Sequence, residues 1–95
     1  MSDYKYKLVE TTLFKKTRRL AKKRGFDLSL LYEPVTLLAK GSRLPSKYRD
    51  HQLKGKLSVF RECHIKGDWL LIYRIIEDKL ILSLHSTGTH TDLLE

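Results

Sequence analysis

Ninety-five residues, 41% apolar and 32% charged, describe one domain that buries roughly 60 to 65% of its unfolded-chain surface, which excludes a second domain and argues against a disordered chain. Nineteen Lys and Arg against eleven Asp and Glu leave a formal charge of +8, a field that attracts nucleic acid or an acidic protein. The single cysteine, Cys63, excludes an internal disulfide, and no apolar run approaches the roughly 20 residues of a membrane span.

The opening MSDYKYKL has no apolar stretch of signal-peptide length, so the expected location is the reducing cytoplasm, away from any membrane. Tyr4 to Val9 alternates β-favouring residues and predicts a first strand. Thr11 or Thr12 then caps a helix with Leu13, Phe14, Thr17, Leu20 and Ala21 as its buried stripe and Gly25 as its stop. The rest of that helix is Lys15, Lys16, Arg18, Arg19, Lys22, Lys23 and Arg24. Like charges this dense repel along a helix surface, so the face is expected to contact phosphates.

Asp27 predicts the N-cap of a second helix, buried through Leu28, Leu30, Leu31, Val35 and Leu38 and ending at Gly41. Pro34 inside it predicts a kink or a break. A polar loop follows, GSRLPSKYRDHQLKGK, and then three strand-like stretches divided at Lys66-Gly67 and Glu77-Asp78 form an antiparallel meander. With Ile76 facing Lys79, Leu71, Tyr73 and Ile75 lie beside Leu84, Leu82 and Leu80 on a helix-covered face. The opposite face carries Leu70, Ile72, Arg74, Ile81, Ser83 and His85 and reads as an open groove.

All four histidines, His51, His64, His85 and His90, fall in the strand half. Imidazoles beside a carboxylate and cations can move protons and stabilise a negatively charged transition state. RNA supplies its own nucleophile, the 2′-hydroxyl, and its cleavage needs no metal and no cofactor. No P-loop, GxGxxG or HExxH pattern is present. A zinc reading of Cys63, His64, His85 and His90 is disfavoured, because Cys63 and His64 adjoin in a strand and point to opposite faces. Cys63 reads as a small buried residue, while Asp68 and Trp69 read either as turn and core residues or as site residues, with Trp69 stacking on a base.

Three stretches in order, YRDHQLKG, RECHIKGDWLLIYRI and STGTHTDLL, resemble the YafQ family of bacterial toxins within the RelE/ParE superfamily. The resemblance implies an α+β, RelE-like fold, a single domain over residues 1–95. Its N-terminal strand and two helices would pack on one face of a small, mainly antiparallel sheet, in the order β-α-α-β-β-β. It implies a type II toxin-antitoxin toxin that cuts messenger RNA on the ribosome, metal-independent. The implied partners are an acidic antitoxin of DinJ or RelB type and promoter DNA reached through the antitoxin complex.

The resemblance assigns catalysis to His51, His64, Asp68 and His90, with His90 as acid, Asp68 or His64 as base and His51 at the phosphate. Substrate contacts fall to Trp69, Arg61, Arg74, His85, Lys54 and Leu94. The chain departs from the family at Ser86, where an arginine is common, at Gly67, where a proline is common, and at Leu94, where a phenylalanine is common. Arg61, Arg74 or His85 are the candidates to replace the missing cation. The rival functions are a gyrase-poisoning toxin of the ParE type and a non-catalytic RNA-binding module.

Overall fold

Residues 4–93 are described in a computed structural model. In chain order they form β1 (Lys7–Glu10), α1 (Thr12–Lys23), α2 (Ser29–Ala39), β2 (His51–Gln52), β3 (Arg61–Lys66), β4 (Trp69–Ile76), β5 (Ile81–Thr89) and α3 (His90–Leu93). The sheet order is β1-β5-β4-β3-β2, parallel between β1 and β5 and antiparallel elsewhere. The expected α+β architecture is present, with a fifth strand added. β2 lies inside the predicted polar loop, and two residues are too few to show a pattern.

Thr11 starts α1: its Oγ1 accepts from the Phe14 amide (2.9 Å) and donates to the His85 carbonyl (2.8 Å), fixing the helix to β5. The buried stripe is narrower than expected. Phe14 and Ala21 are buried, whereas Leu13 and Leu20 are exposed. Thr17 completes the inner face, its Oγ1 accepting from the Thr87 amide at 3.1 Å.

Asp27 caps α2 from one residue further out, accepting from the amide and hydroxyl of Ser29 at 3.0 and 2.7 Å. Of the expected kink or break at Pro34, the break does not occur: α2 runs through that buried proline. The bond that proline forgoes is to the carbonyl of Leu30, a residue that is exposed rather than buried, so the loss falls near water.

The register of β4 and β5 also differs from the expectation. A short 3₁₀ turn, Glu77–Lys79, ends on Leu80 in the left-handed region (φ 52°), so Ile75 pairs with Leu82 and Tyr73 with Leu84. Leu80 is exposed. Between Ile72 and Tyr73 the ladder skips His85, a bulge that leaves Leu71 opposite Thr87.

Phe14, Leu31, Val35, Leu38, Cys63, Leu71, Tyr73, Leu82 and Leu84 form one core between the helices and the sheet. The other face is not an open groove throughout. Leu70 and Ile72 are buried on it, bracketed in the ladder by His64 and Gly88 and by Glu62 and Ser86. No helix among the described residues is long and apolar enough to cross a membrane.

Candidate active site

Strand alternation places Glu62 and His64, two residues apart on β3, on the face away from the helices. β2 pairs His51 with Glu62 and brings that histidine to the same side. Past His64 the ladder shifts, and Gly67 (φ +57°) turns the chain so that Asp68 stands at the tip of the hairpin. β5 runs back beside β4 and delivers His90 as the first residue of α3.

Glu62 is the centre of the cluster. Its Oε1 lies 3.5 Å from His51 Nε2, 3.5 Å from His64 Nε2 and 4.0 Å from His90 Nε2. The residue is 3% exposed. A buried carboxylate needs positive charge or donors around it, which the imidazoles of His64 and His90 are placed to supply and His51 supplies once protonated. Sequence reasoning missed Glu62, although the E-x-H spacing on a strand was a signal that it shares a face with His64.

The histidines differ in what holds them. His51 Nδ1–H donates to the Arg49 carbonyl at 2.8 Å, and a carbonyl can only accept, so Nε2 carries the lone pair in the neutral ring. Arg49 adopts the left-handed region (φ 46°) to offer that carbonyl. Asp50 anchors the same turn, accepting from Arg61 at 3.0 Å and from the buried hydroxyl of Tyr73. His90 Nδ1–H donates to Asp68 Oδ1 at 2.5 Å. That hydrogen bond raises the His90 pKa above the ordinary imidazole value; slight desolvation opposes it, and the charges of Asp68 and Glu62 add to it.

Residues 6–95 match the family described as the bacterial toxin of type II toxin-antitoxin systems, YafQ. The chain belongs to this family. It is 41% identical over 81 residues to the mRNA interferase toxin YafQ of Escherichia coli K12, covering 84% of this chain and 86% of that protein. The crystal structure of the E. coli DinJ-YafQ toxin-antitoxin complex superposes with a TM-score of 0.87 at 33% identity, over 96% of this chain and 99% of the other. A metal-bound toxin from Helicobacter pylori gives the same TM-score at 43% identity, over 93% and 98% of the two chains.

In this YafQ-family chain the remaining expected site residues are dispersed. Trp69 is 5% exposed on the core side, its Nε1–H donating to Thr87 Oγ1 at 2.8 Å and its ring 5.0 Å from that of Phe26. This burial corrects the expectation that it stacks on a base. Arg61 leaves β3 on the side opposite Glu62 and is engaged by Asp50, so it does not reach the cluster. Arg74 is exposed on the histidine face, two residues beyond Ile72. His85 sits at the bulge against Phe60, ring centroids 4.6 Å apart, with Nδ1 3.1 Å from Ser86 Oγ, and burial lowers its pKa. Lys54 is exposed in the loop after β2, and Leu94 lies outside the described residues.

On α1, Lys15, Lys16, Arg19, Lys22 and Lys23 are exposed; Arg18 is bonded to Glu10 at 2.6 Å and Arg24 to Asp92 at 2.7 Å. Cys63 points into the core, and burial pushes its thiol up to about 12. The donors that do converge are His51, Glu62 and His64, with ligand atoms all within 4.8 Å of one another. Two imidazoles and a carboxylate suit a divalent transition metal, a set that the sequence did not single out.

Proposed function

We propose that this toxin cleaves messenger RNA on the ribosome by intramolecular attack of a 2′-hydroxyl. The observation that carries the reading is the Asp68-bonded His90 and a second imidazole, His51, of fixed tautomer, both facing the one carboxylate of Glu62. His51 Nε2 takes the 2′-hydroxyl proton. The 2′-oxygen bonds to phosphorus, the bond from phosphorus to O5′ breaks, and His90 Nε2–H protonates the departing oxygen. The products are a 2′,3′-cyclic phosphate and a 5′-hydroxyl.

His64 and protonated His51 stabilise the phosphorane, and Glu62 holds those imidazoles in register. Asp68 is occupied by His90 and orients it. This moves the base from Asp68 or His64, where the resemblance put it, to His51. The exposed cations of α1 track phosphate, with Arg74 adding charge on the histidine face. The likeness to the DinJ-YafQ complex supports an antitoxin protein as partner; an acidic antitoxin, promoter binding by the complex and a cytoplasmic setting complete the proposal.

The test is cleavage mapping by primer extension in a translating extract, with free RNA in parallel. Cuts confined to translated message, with cyclic phosphate ends and lost in His90→Ala and His51→Ala, support the proposal. Intact message with the wild-type protein overturns it and leaves gyrase inhibition, read by DNA supercoiling, or RNA binding alone.

A further inference from the structure

We propose that Arg24 and Asp92 form a latch that sets the position of His90, making one cation of the basic helix a positioning residue of the active site rather than a phosphate contact. The inference rests on the reading of His90 as the acid. The two side chains meet fork to fork: Arg24 Nη1 donates to Asp92 Oδ2 at 2.7 Å and Nη2 to Oδ1 at 3.2 Å.

Asp92 in turn grips the start of α3. Its Oδ2 accepts from the Thr89 amide at 3.0 Å, and its own amide donates to Thr89 Oγ1 at 3.3 Å, a reciprocal cap around the turn that begins with His90. The fit is close, since a Cβ on Gly88 would stand 3.1 Å from Asp92 Oδ2. Arg24 also holds the Asp92 carboxyl down, at about 2, so the latch stays charged across the working range.

The other anchors of this segment are the His90–Asp68 bond and the half-buried Leu93 near Gly88. Four residues cannot sustain a helix alone. Beneath α3 lies a cavity of about 160 Å³, lined by Thr17, Leu20, Ala21, Phe26 and the latch residues themselves. α3 is therefore pinned by polar bonds at its rim more than by packing. His90 must nonetheless meet Asp68 at 2.5 Å, and a displacement of 1 Å in such an arrangement costs about 100-fold in rate.

The latch side chains are 51% and 30% exposed, and so exposed an ion pair adds little to global stability. Loss of the latch should therefore separate activity from folding. Arg24→Gln and Asp92→Asn are each expected to keep the thermal midpoint, to lower kcat about 10- to 100-fold and to leave KM within about twofold. The double variant should lose no more than either single one, and Arg24→Lys should recover part of the loss. The His90 imidazole, followed by NMR titration in the isolated toxin, should titrate lower in Arg24→Gln as its bond to Asp68 loosens; the nearby Glu62 and His64 are unchanged by the substitution.

A phosphate role for Arg24 predicts the opposite pattern. KM would rise with a shallower salt dependence, the effect would add to that of Asp92→Asn, and the His90 titration would not move; any of these overturns the latch. A wild-type protein that cuts nothing would sink the nuclease reading, while the titration would still decide the latch.

Discussion

Glu62 Oε1 stands 3.5 Å from His64 Nε2, from a residue two positions earlier on the same strand and 3% exposed. A carboxylate so enclosed meets imidazoles rather than water, so it acts on the histidines rather than on solvent. Glu62→Gln preserves the shape and removes the charge. We expect kcat to fall about 10- to 100-fold, as for other losses of electrostatic preorganisation. Retained folding by circular dichroism with unchanged cleavage would show that the carboxylate is dispensable.

Asp68 sets the pH range of the acid. Because its hydrogen bond raises His90 above the ordinary imidazole value, the alkaline limb of kcat should lie above that value. In Asp68→Asn it should move to lower pH. The sign for stability is the same: a raised pKa favours folding fully below the unfolded value, and the contribution fades as pH rises through the folded one. A pH-rate profile for the two proteins checks the first statement, and denaturant midpoints across the same pH range check the second.

Asp50 carries a structural prediction. It accepts from the Tyr73 hydroxyl and from Arg61, and Tyr73 is fully buried. Burial, with the adjacent Asp50 charge, raises the phenol well above its ordinary range, so it stays a donor. Asp50→Ala strands that donor and should cost about 1–3 kcal/mol, measured by urea denaturation. It should also free the Arg49–His51 turn and lower kcat, whereas Tyr73→Phe together with Asp50→Ala should regain part of the stability.

Because the proposed route runs on proton transfer, toxin stripped of metal with EDTA and dialysed before it meets the ribosomes should cleave as well as untreated toxin. Added Zn²⁺ should inhibit, because His51, Glu62 and His64 together are a donor set for it, and a metal there would occupy the lone pair of the base. Chelation should reverse the inhibition, and His64→Ala should weaken Zn²⁺ binding measured by calorimetry. Loss of cleavage by the stripped toxin, restored by a divalent metal, would contradict a metal-free route.

Much of the fold was legible because local rules and tertiary demand agree. Thr11 caps where a threonine before an apolar stripe should, and the expected hairpin between β3 and β4 forms with its turn one residue later than read, at Gly67-Asp68. The differences arise where a long-range contact outvotes the local signal. Leu80 reads as core but closes a 3₁₀ turn, which slides the β4–β5 register by two residues. β2 exists only because β3 offers it an edge. Trp69 is drawn inward by Thr87, a partner 18 residues away. Among the site residues, Glu62 went unseen because an isolated glutamate in a basic chain looks like a surface charge, and only the ladder shows what surrounds it.

The extra residue at His85 divides β5 into two strands of opposite phase. Before it, even-numbered side chains enter the core, as Leu82 and Leu84 do; after it, odd-numbered ones do, as Thr87 does beside Trp69. Deleting His85 alone would leave Ser86 directly after Leu84 in ordinary alternation, still opposite Ile72, with Thr87 inward and α3 on the same side as before. The bulge therefore absorbs one residue without turning the strand over, and the side on which His90 emerges is set by the pairing resumed at Ser86 and Thr87 rather than by the number of residues before it.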